Sequence, residues 1–186
     1  MAESSQNGRI AIRIAGSGGQ GVVLAGVILA EAAVLAGRNA AQSQVYGPES
    51  RGGAARSDVV IADGEIGFPT AQVLDVLVAL TQSASDRYSS DLKPAGLLVV
   101  DEQEVPDPPA GSWAARPLPI IATSVRVAGS PVAANVVALG VLVGVTGVVD
   151  AWALERAVVA CVPPGSRELN LRALAAGVSL AGTGAS

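Results

Sequence analysis

Short apolar runs and longer apolar stretches alternate along this chain, with glycine-rich or proline-rich segments between them. An apolar run over residues 9–15 is followed by glycines and then by an Ala/Val/Leu-rich stretch over residues 20–36, which ends at Gly37. This order predicts a strand, a tight turn and a helix, since glycine commonly follows the last turn of a helix. Further apolar or alternating runs predict strands over residues 39–46, 57–62, 73–80, 97–100 and, more weakly, 120–122.

Helical patterns lie between and after these strands. A polar segment predicts a helix over residues 83–92, and later segments predict helices over residues 132–145, 151–162 and 166–177. The proline-rich residues 102–119 are expected to form an irregular connection. The alternation of strands and helices predicts a single α/β domain, with a Rossmann-like, mostly parallel sheet flanked by helices. This domain is expected over residues 9–180, between a disordered N-terminal tail (1–8) and a C-terminal tail (181–186).

The first predicted helix has almost no polar face. Its only charged residue is Glu31, so it should be buried between the sheet and neighbouring elements. The whole chain is 50% hydrophobic and 15% charged. A chain with so few charges is expected to hide part of its surface against other subunits.

Composition excludes several classes of function. A net charge of −4 argues against nucleic acid as the main partner. Cys161 is the only cysteine and the chain has no histidine, so an iron–sulfur cluster, a zinc site or a Ser-His-Asp triad would be hard to build here. The uncharged residues 127–149 are long enough to cross a bilayer. However, Pro131, Asn135 and several glycines favour a buried helix, and without a signal-peptide pattern a cytoplasmic location is expected.

The first candidate site is the glycine-rich turn between the first strand and helix. It consists of Gly16, Ser17, Gly18, Gly19, Gln20 and Gly21. Such a turn lets the backbone approach a phosphate while the helix N–H groups point at it, but it can also serve only to pack a helix on a sheet. A dinucleotide is a less favoured ligand. Dinucleotide-binding sites have a carboxylate about 20 residues after the glycine turn, where it binds the ribose, and residues 40–44 contain none. Gln20 could reach a ligand or cap the helix.

The second candidate site is a glycine-containing loop with an aromatic, an acidic and a basic side chain. It contains Tyr46, Gly47, Glu49, Arg51, Gly52 and Gly53. The loop could present these groups to a ligand or a partner subunit, or could be a surface turn with a local ion pair.

Three further residues outside these two segments have polar or reactive side chains within apolar elements. Asp75, inside an apolar strand, is interpreted as structural, and Asn135 could cap its helix or reach towards the glycine turn. Cys161 is most simply a buried small apolar residue and is assigned no catalysis.

Together these segments resemble a known family. The segments GSGGQG, YGPESRGG, GEIGFP and VLDVLVAL occur in that order, and PVAANVVALG follows. They are similar to the γ subunit, or γ domain, of the 2-oxoacid:ferredoxin (acceptor) oxidoreductases. This family includes pyruvate, 2-oxoglutarate, 2-oxoisovalerate, indolepyruvate and phenylglyoxylate types, and the sequence does not choose among their substrates. The resemblance spans about residues 9–178.

The resemblance implies a non-catalytic subunit of a larger enzyme. Such complexes decarboxylate a 2-oxoacid on thiamine diphosphate, pass electrons through iron–sulfur clusters and form an acyl-CoA. Thiamine diphosphate, Mg²⁺ and [4Fe-4S] clusters are expected on the partner α, β and ferredoxin-like δ subunits. Electrons would reach ferredoxin, or NAD through another subunit.

The γ part of this family is associated with assembly and with coenzyme A. Carried onto this sequence, residues 16–21 would face the coenzyme A phosphates or an adjoining subunit, and residues 46–53 would line the approach to the thiamine. Two alternatives stay open: a stand-alone nucleotide-binding enzyme, and a purely structural assembly module.

Overall fold

A six-stranded sheet forms the centre of the molecule, with strand order β2-β3-β1-β4-β5-β6. The structure, a computed structural model, describes residues 8–46, 54–68 and 70–182. The strands are β1 (Ile10–Ser17), β2 (Asn39–Tyr46), β3 (Ala54–Ala62), β4 (Leu74–Ala79), β5 (Leu92–Asp101) and β6 (Ala114–Leu118). The helices are α1 (Val22–Leu35), α2 (Gln82–Tyr88), α3 (Ile120–Ala128), α4 (Ala134–Thr146), α5 (Ala151–Cys161) and α6 (Arg167–Gly182).

The sheet is mostly parallel, which confirms the predicted fold class. Strands β1, β4, β5 and β6 pair in parallel. Strand β3 is the exception, because it runs antiparallel to both β1 and β2. Strand β3 lies between β1 and β2 in the sheet.

Helices cover the two faces of the sheet unequally. Ile12 and Ile14 of β1 belong to the larger apolar cluster, which includes buried residues of α1, α4, α5 and α6. Ala11 and Ala15 belong to a smaller cluster with α2 on the opposite face. Because both faces of β1 are covered, its central residues are buried without alternation.

A buried ion pair lies beneath α2 on the thinner side of the sheet. Nε and Nη2 of Arg13 donate to the two carboxylate oxygens of Asp58, at 2.6 and 2.9 Å, and Nη1 donates to Asp91. The ring of Tyr88 covers the guanidinium at 4.8 Å. Burial disfavours the charge, but the hydrogen bonds and charges of Asp58 and then Asp91 outweigh it and raise the pKa of Arg13. Arg13 is therefore a permanent cation inside the fold.

Two sequence-based predictions are wrong in the region between residues 102 and 122. The predicted strand over 120–122 is the first turn of α3, and the buried carboxylate of Asp101 accepts a hydrogen bond from Ile121 N at 2.7 Å. The predicted irregular segment 102–119 contains strand β6 despite Pro117. Proline is compatible with this position because β6 lies at the edge of the sheet.

The helix predicted over residues 83–92 is shorter than expected. Helix α2 ends at Tyr88, a 3₁₀ turn covers Ser89–Asp91, and Leu92 already belongs to β5. Strand β5 begins five residues before the predicted start at residue 97 and contains an irregularity, where Ala95 adopts a φ of +60°.

Helices α4 and α5 lie within two residues of their predicted ends, whereas α6 continues to Gly182, five residues beyond the predicted end at residue 177. Helices α4 and α6 approach each other at Gly140 and Gly177, where a Cβ at either position would overlap backbone of the other helix. Within the described part of the chain, no helix is long and apolar enough to cross a membrane.

Candidate functional site

The glycine-rich turn joins β1 to α1 at the carboxyl edge of the parallel strands, as the sequence predicts. Ser17 is the last residue of β1, and Gly21 is the N-cap of α1 with φ +71°. Gly19 also has a positive φ, of +96°. These left-handed conformations require glycine, because a Cβ would be strained in both. The sequence therefore encodes the backbone path of the turn.

The side chain of Gln20 forms hydrogen bonds that hold the glycine turn in place. Its side-chain oxygen accepts a hydrogen bond from Ser17 N at 2.7 Å, and Gln20 N donates to Ser17 O at 3.2 Å. Its amide nitrogen donates to Leu80 O at 3.4 Å, which ties the turn to the end of β4. The Gln20 side chain thus holds the turn itself.

Asn135 supports the turn from α4, as one of the sequence-based alternatives proposed. Its Nδ2 donates to Gly21 O at 3.2 Å, and a Cβ on residue 21 would lie 2.6 Å from that nitrogen. The same Gly21 oxygen accepts the first helical hydrogen bond of α1, from Ala25 N at 3.0 Å. The N–H groups of the first turn precede this bond and have no partner within the helix.

A cavity of about 230 Å³ opens beside the turn. Its walls are the turn, the first residues of α1, the end of β2 and the start of β3; they comprise Ser17, Gly18, Gly19, Gly21, Val22, Val23, Tyr46 and Ala55. The sequence-based site did not include Val22, Val23 or Ala55. Ala55 could not be found because no pattern in the sequence shows that β3 lies next to β1. No charged side chain contributes to this lining among the described residues, and no acidic residue occupies the first turn of α1.

The two sequence-predicted sites meet at this cavity through Tyr46. Tyr46 ends β2 opposite Ala55, while Ser17 pairs with Ala54, so the segment between β2 and β3 leaves and returns beside the glycine turn. Gly47, Glu49, Arg51, Gly52 and Gly53 lie outside the described residues. Their predicted roles therefore stay predictions.

The strand order also bears on the dinucleotide interpretation. In a Rossmann site the ribose-binding acid ends the strand next to β1. Here the strand after α1 is β2, which is separated from β1 by β3. Asp58 of β3 is already bound to Arg13. The described residues therefore offer no carboxylate at the position that a dinucleotide ribose would need.

The remaining candidates have structural partners. Asp75 accepts a hydrogen bond from Ala11 N at 2.7 Å and forms an ion pair with Lys93, in agreement with its structural interpretation. Cys161 is half-buried; burial and then the charge of Glu31 raise the pKa of its thiol. A raised pKa keeps the thiol protonated at neutral pH, which makes it a poor nucleophile.

The fold and the glycine turn define an α/β domain with a cavity at the carboxyl edge of its parallel strands, and comparison with known proteins identifies its class. Residues 11–180 match the model of the pyruvate ferredoxin/flavodoxin oxidoreductase family, and the chain belongs to that family. Within it, the chain is a γ subunit of the 2-oxoacid:ferredoxin oxidoreductases, as the sequence resemblance predicted. It is thus one subunit of a multi-subunit oxidoreductase.

Three relatives illustrate this placement. The chain is 45% identical over 176 residues to 2-oxoglutarate synthase subunit KorC of Methanothermobacter thermautotrophicus, covering 91% of this chain and 93% of the relative. A keto/oxoacid ferredoxin oxidoreductase γ subunit from Geobacter sulfurreducens has a TM-score of 0.84 and 46% identity, over 94% of this chain and 99% of that one. Ketoisovalerate oxidoreductase subunit VorA of M. thermautotrophicus is 35% identical over 92% of this chain but only 36% of its own length.

Proposed function

We propose that this chain is the γ subunit of a 2-oxoglutarate:ferredoxin oxidoreductase and that its glycine turn forms part of the coenzyme A site. Such a complex oxidatively decarboxylates the 2-oxoacid and transfers the acyl group to coenzyme A. The identity of 45% to a 2-oxoglutarate synthase subunit supports the choice of substrate class. The observation that carries the coenzyme A role is the cavity of about 230 Å³ bounded by the glycine turn and the first turn of α1.

The chemistry of this cavity suits one end of an extended anionic ligand. Backbone N–H groups at the start of α1 supply donors, and the helix dipole adds partial positive charge. Tyr46, Val22, Val23 and Ala55 supply apolar walls. Because the described lining contains no cation, a second source of positive charge is required for a phosphate. We assign that role to Arg51 or to a partner subunit.

The second loop completes the proposed site. Tyr46, Gly47, Glu49, Arg51, Gly52 and Gly53 would line the approach to the active site or form a subunit contact there. This proposal is supported by Tyr46, which is described and borders the same cavity as the glycine turn.

The other cofactors are assigned to partner subunits. One cysteine cannot supply the four thiolates of a [4Fe-4S] cluster, so the donor set of this chain does not fit one by itself. We place thiamine diphosphate, Mg²⁺ and the clusters on α, β and ferredoxin-like δ subunits. Electrons would pass to ferredoxin, or to NAD through another subunit, in the cytoplasm.

A structural assembly module is the second candidate function. It is favoured by one observation: Gln20 directs its amide into the turn instead of towards the cavity. In that case the glycines serve only to connect β1 to α1, and no ligand contacts them. A stand-alone nucleotide-binding enzyme is the weaker alternative, since the ribose-binding position lacks a free acid.

Substitution of Gly18 by valine distinguishes a coenzyme A site from a purely structural assembly module. Gly18 lines the cavity and, unlike Gly19 and Gly21, is not among the glycines with positive φ, so a side chain there meets no left-handed backbone strain. We expect Gly18→Val to weaken coenzyme A binding to the assembled complex by at least about tenfold, measured by calorimetric titration, because the side chain fills the space beside the helix N-terminus.

Gly67→Val is the matched control. A Cβ at Gly67 would meet no atom within 4 Å, and this residue lies near Asn39, at the opposite end of β2 from Tyr46. This variant should bind coenzyme A as the wild type does. Unchanged affinity in a folded, fully assembled Gly18→Val complex would favour the assembly module; circular dichroism and native mass spectrometry check both conditions.

The substrate class has its own test. The purified complex should turn over 2-oxoglutarate with a kcat/KM at least about tenfold above those for pyruvate and 2-oxoisovalerate, when reduction of ferredoxin is followed. A preference for either of the other 2-oxoacids would contradict the 2-oxoglutarate proposal. It would leave the coenzyme A role of the glycine turn unaffected.

A further inference from the structure

The first backbone N–H of α1 is buried and has no acceptor among the described residues. Val22 begins the helix, is 2% exposed and borders the cavity beside the glycine turn. Its N–H precedes the first helical hydrogen bond, from Ala25 N to Gly21 O, and it donates to no described residue. Buried N–H groups are almost always paired, because an unpaired one costs free energy. This N–H is therefore available to a ligand in the cavity.

The direction of this N–H is fixed through the peptide group that joins Gly21 to Val22. The group is planar and trans, so its C=O and its N–H point in opposite directions. Gly21 O accepts hydrogen bonds from Ala25 N, at 3.0 Å, and from Asn135 Nδ2 on α4, at 3.2 Å. With the oxygen held by both donors, the Val22 N–H points out of the amino-terminal end of α1, where the cavity opens.

Asn135 is an expensive residue in the place where it lies. It is 4% exposed and is the only polar side chain among the buried residues of α4. Burial of an amide costs free energy unless the amide is hydrogen-bonded, and its Nδ2 bonds to the glycine turn instead of to α4 itself. A hydrogen bond to a carbonyl oxygen also polarises its peptide group, which makes the N–H of that group a stronger donor. Asn135 can therefore both direct and strengthen the Val22 N–H.

We propose that the Val22 N–H binds a phosphate oxygen of coenzyme A and that Asn135 is the positioning residue for this contact. The inference rests on the coenzyme A role proposed above, and it names the donor and its support. A phosphate oxygen suits this donor because its negative charge lies at the positive end of the helix dipole. Asn135 acts through Gly21 and is not required to touch the ligand.

Asn135→Leu tests the positioning role. Leucine has nearly the volume of asparagine but cannot donate, so Gly21 O loses its second donor while the space stays filled. We expect the KM of the assembled complex for coenzyme A, and the Kd from calorimetric titration, to rise at least about fivefold. The KM for the 2-oxoacid should stay within about twofold, because the contact concerns coenzyme A alone. Asn135→Asp keeps the shape of asparagine and should raise the KM for coenzyme A at least as much, since it adds a negative charge.

Thr146→Val is the matched control. Thr146 lies at the other end of α4, where its Oγ1 donates to Leu142 O at 2.7 Å. This variant removes a hydrogen bond of the same helix without touching the glycine turn, so it should leave both KM values as in the wild type. Circular dichroism and native mass spectrometry check folding and assembly of each variant. If Asn135→Leu does not assemble, Asn135→Asp gives the same comparison.

Three results would overturn the positioning role. The first is an unchanged KM for coenzyme A in a folded, assembled Asn135 variant. The second is an equal rise of the KM for the 2-oxoacid, and the third is an equal rise with Thr146→Val, since general loosening of α4 would then explain the effect. Gly18→Val in the same assay separates this failure from that of the proposed function. If Gly18→Val alone weakens coenzyme A binding, the coenzyme A site stands without Asn135; if neither variant does, both proposals fail.

Discussion

Replacement of Arg13 by methionine is expected to destabilise the fold by about 3–5 kcal/mol. Arg13 donates to both oxygens of Asp58 and, at 3.1 Å, to the Ala71 carbonyl oxygen. Asp58 is 5% exposed, so water cannot replace the lost guanidinium without opening the structure. A buried carboxylate without its cation accounts for most of the expected loss. The free energy of unfolding in urea measures it.

Two further variants serve as controls for Arg13→Met. Arg172→Met removes an exposed ion pair with Glu168, of 3.1 Å, and should change the free energy of unfolding by no more than about 0.5 kcal/mol. Arg13→Met/Asp58→Leu removes both buried charges and should recover at least half of the loss, because the carboxylate that still loses its cation, Asp91, is 38% exposed and can be solvated. If Arg13→Met lowers the free energy of unfolding no more than Arg172→Met does, the buried ion pair does not stabilise the fold as described.

Replacement of Gly177 by alanine is expected to destabilise the chain by about 2–3 kcal/mol, although alanine favours an isolated helix by about 1 kcal/mol. The added Cβ would lie 2.2 Å from Val137 O and 3.0 Å from Gly140 Cα. These are backbone atoms of α4, so relief requires the two helices to separate. Separation would open the largest helix–helix contact of the core. Thermal and urea unfolding, followed by circular dichroism, measure the effect.

Gly182→Ala in the same helix is the matched control for Gly177→Ala. A Cβ at residue 182 would meet no atom within 4 Å, so only the helical preference of alanine acts there. This control should be neutral or slightly stabilising. The close approach of α4 and α6 would be contradicted if both alanine variants stabilised the chain alike.

The local segments of the fold were predictable because hydrophobic periodicity and glycine positions are encoded locally. Strand β2 has the predicted bounds, and β1 and α1 begin and end within two residues of their predicted ends. Residues 120–122 show where local reasoning fails. Their apolar run is compatible with a strand, but the carboxylate of Asp101, distant in sequence, accepts a hydrogen bond from Ile121 N and supports a helix. Tertiary context overrode local propensity there.

The candidate site was partly predictable for the same reason. The glycine turn was predictable because closely spaced glycines indicate left-handed backbone conformations, which other residues rarely adopt. In the structure Gly19 and Gly21 have such conformations. Ala55 could not be assigned to the cavity, because that requires the position of β3 next to β1. Two charges, Arg13 and Asp58, did interrupt otherwise apolar strands, and this was the available signal for the buried pair.

The sequence by itself determined the α/β class, the glycine turn and the family, since each depends on residues close together along the chain. It also indicated that a helix as apolar as α1 must be covered. Only the tertiary structure decided that β3 separates β1 from β2, that Tyr46 meets the glycine turn, and that one face of α1 stays exposed. These features depend on strand order and on which helix face packs on the sheet, and both are set by contacts between residues far apart in sequence.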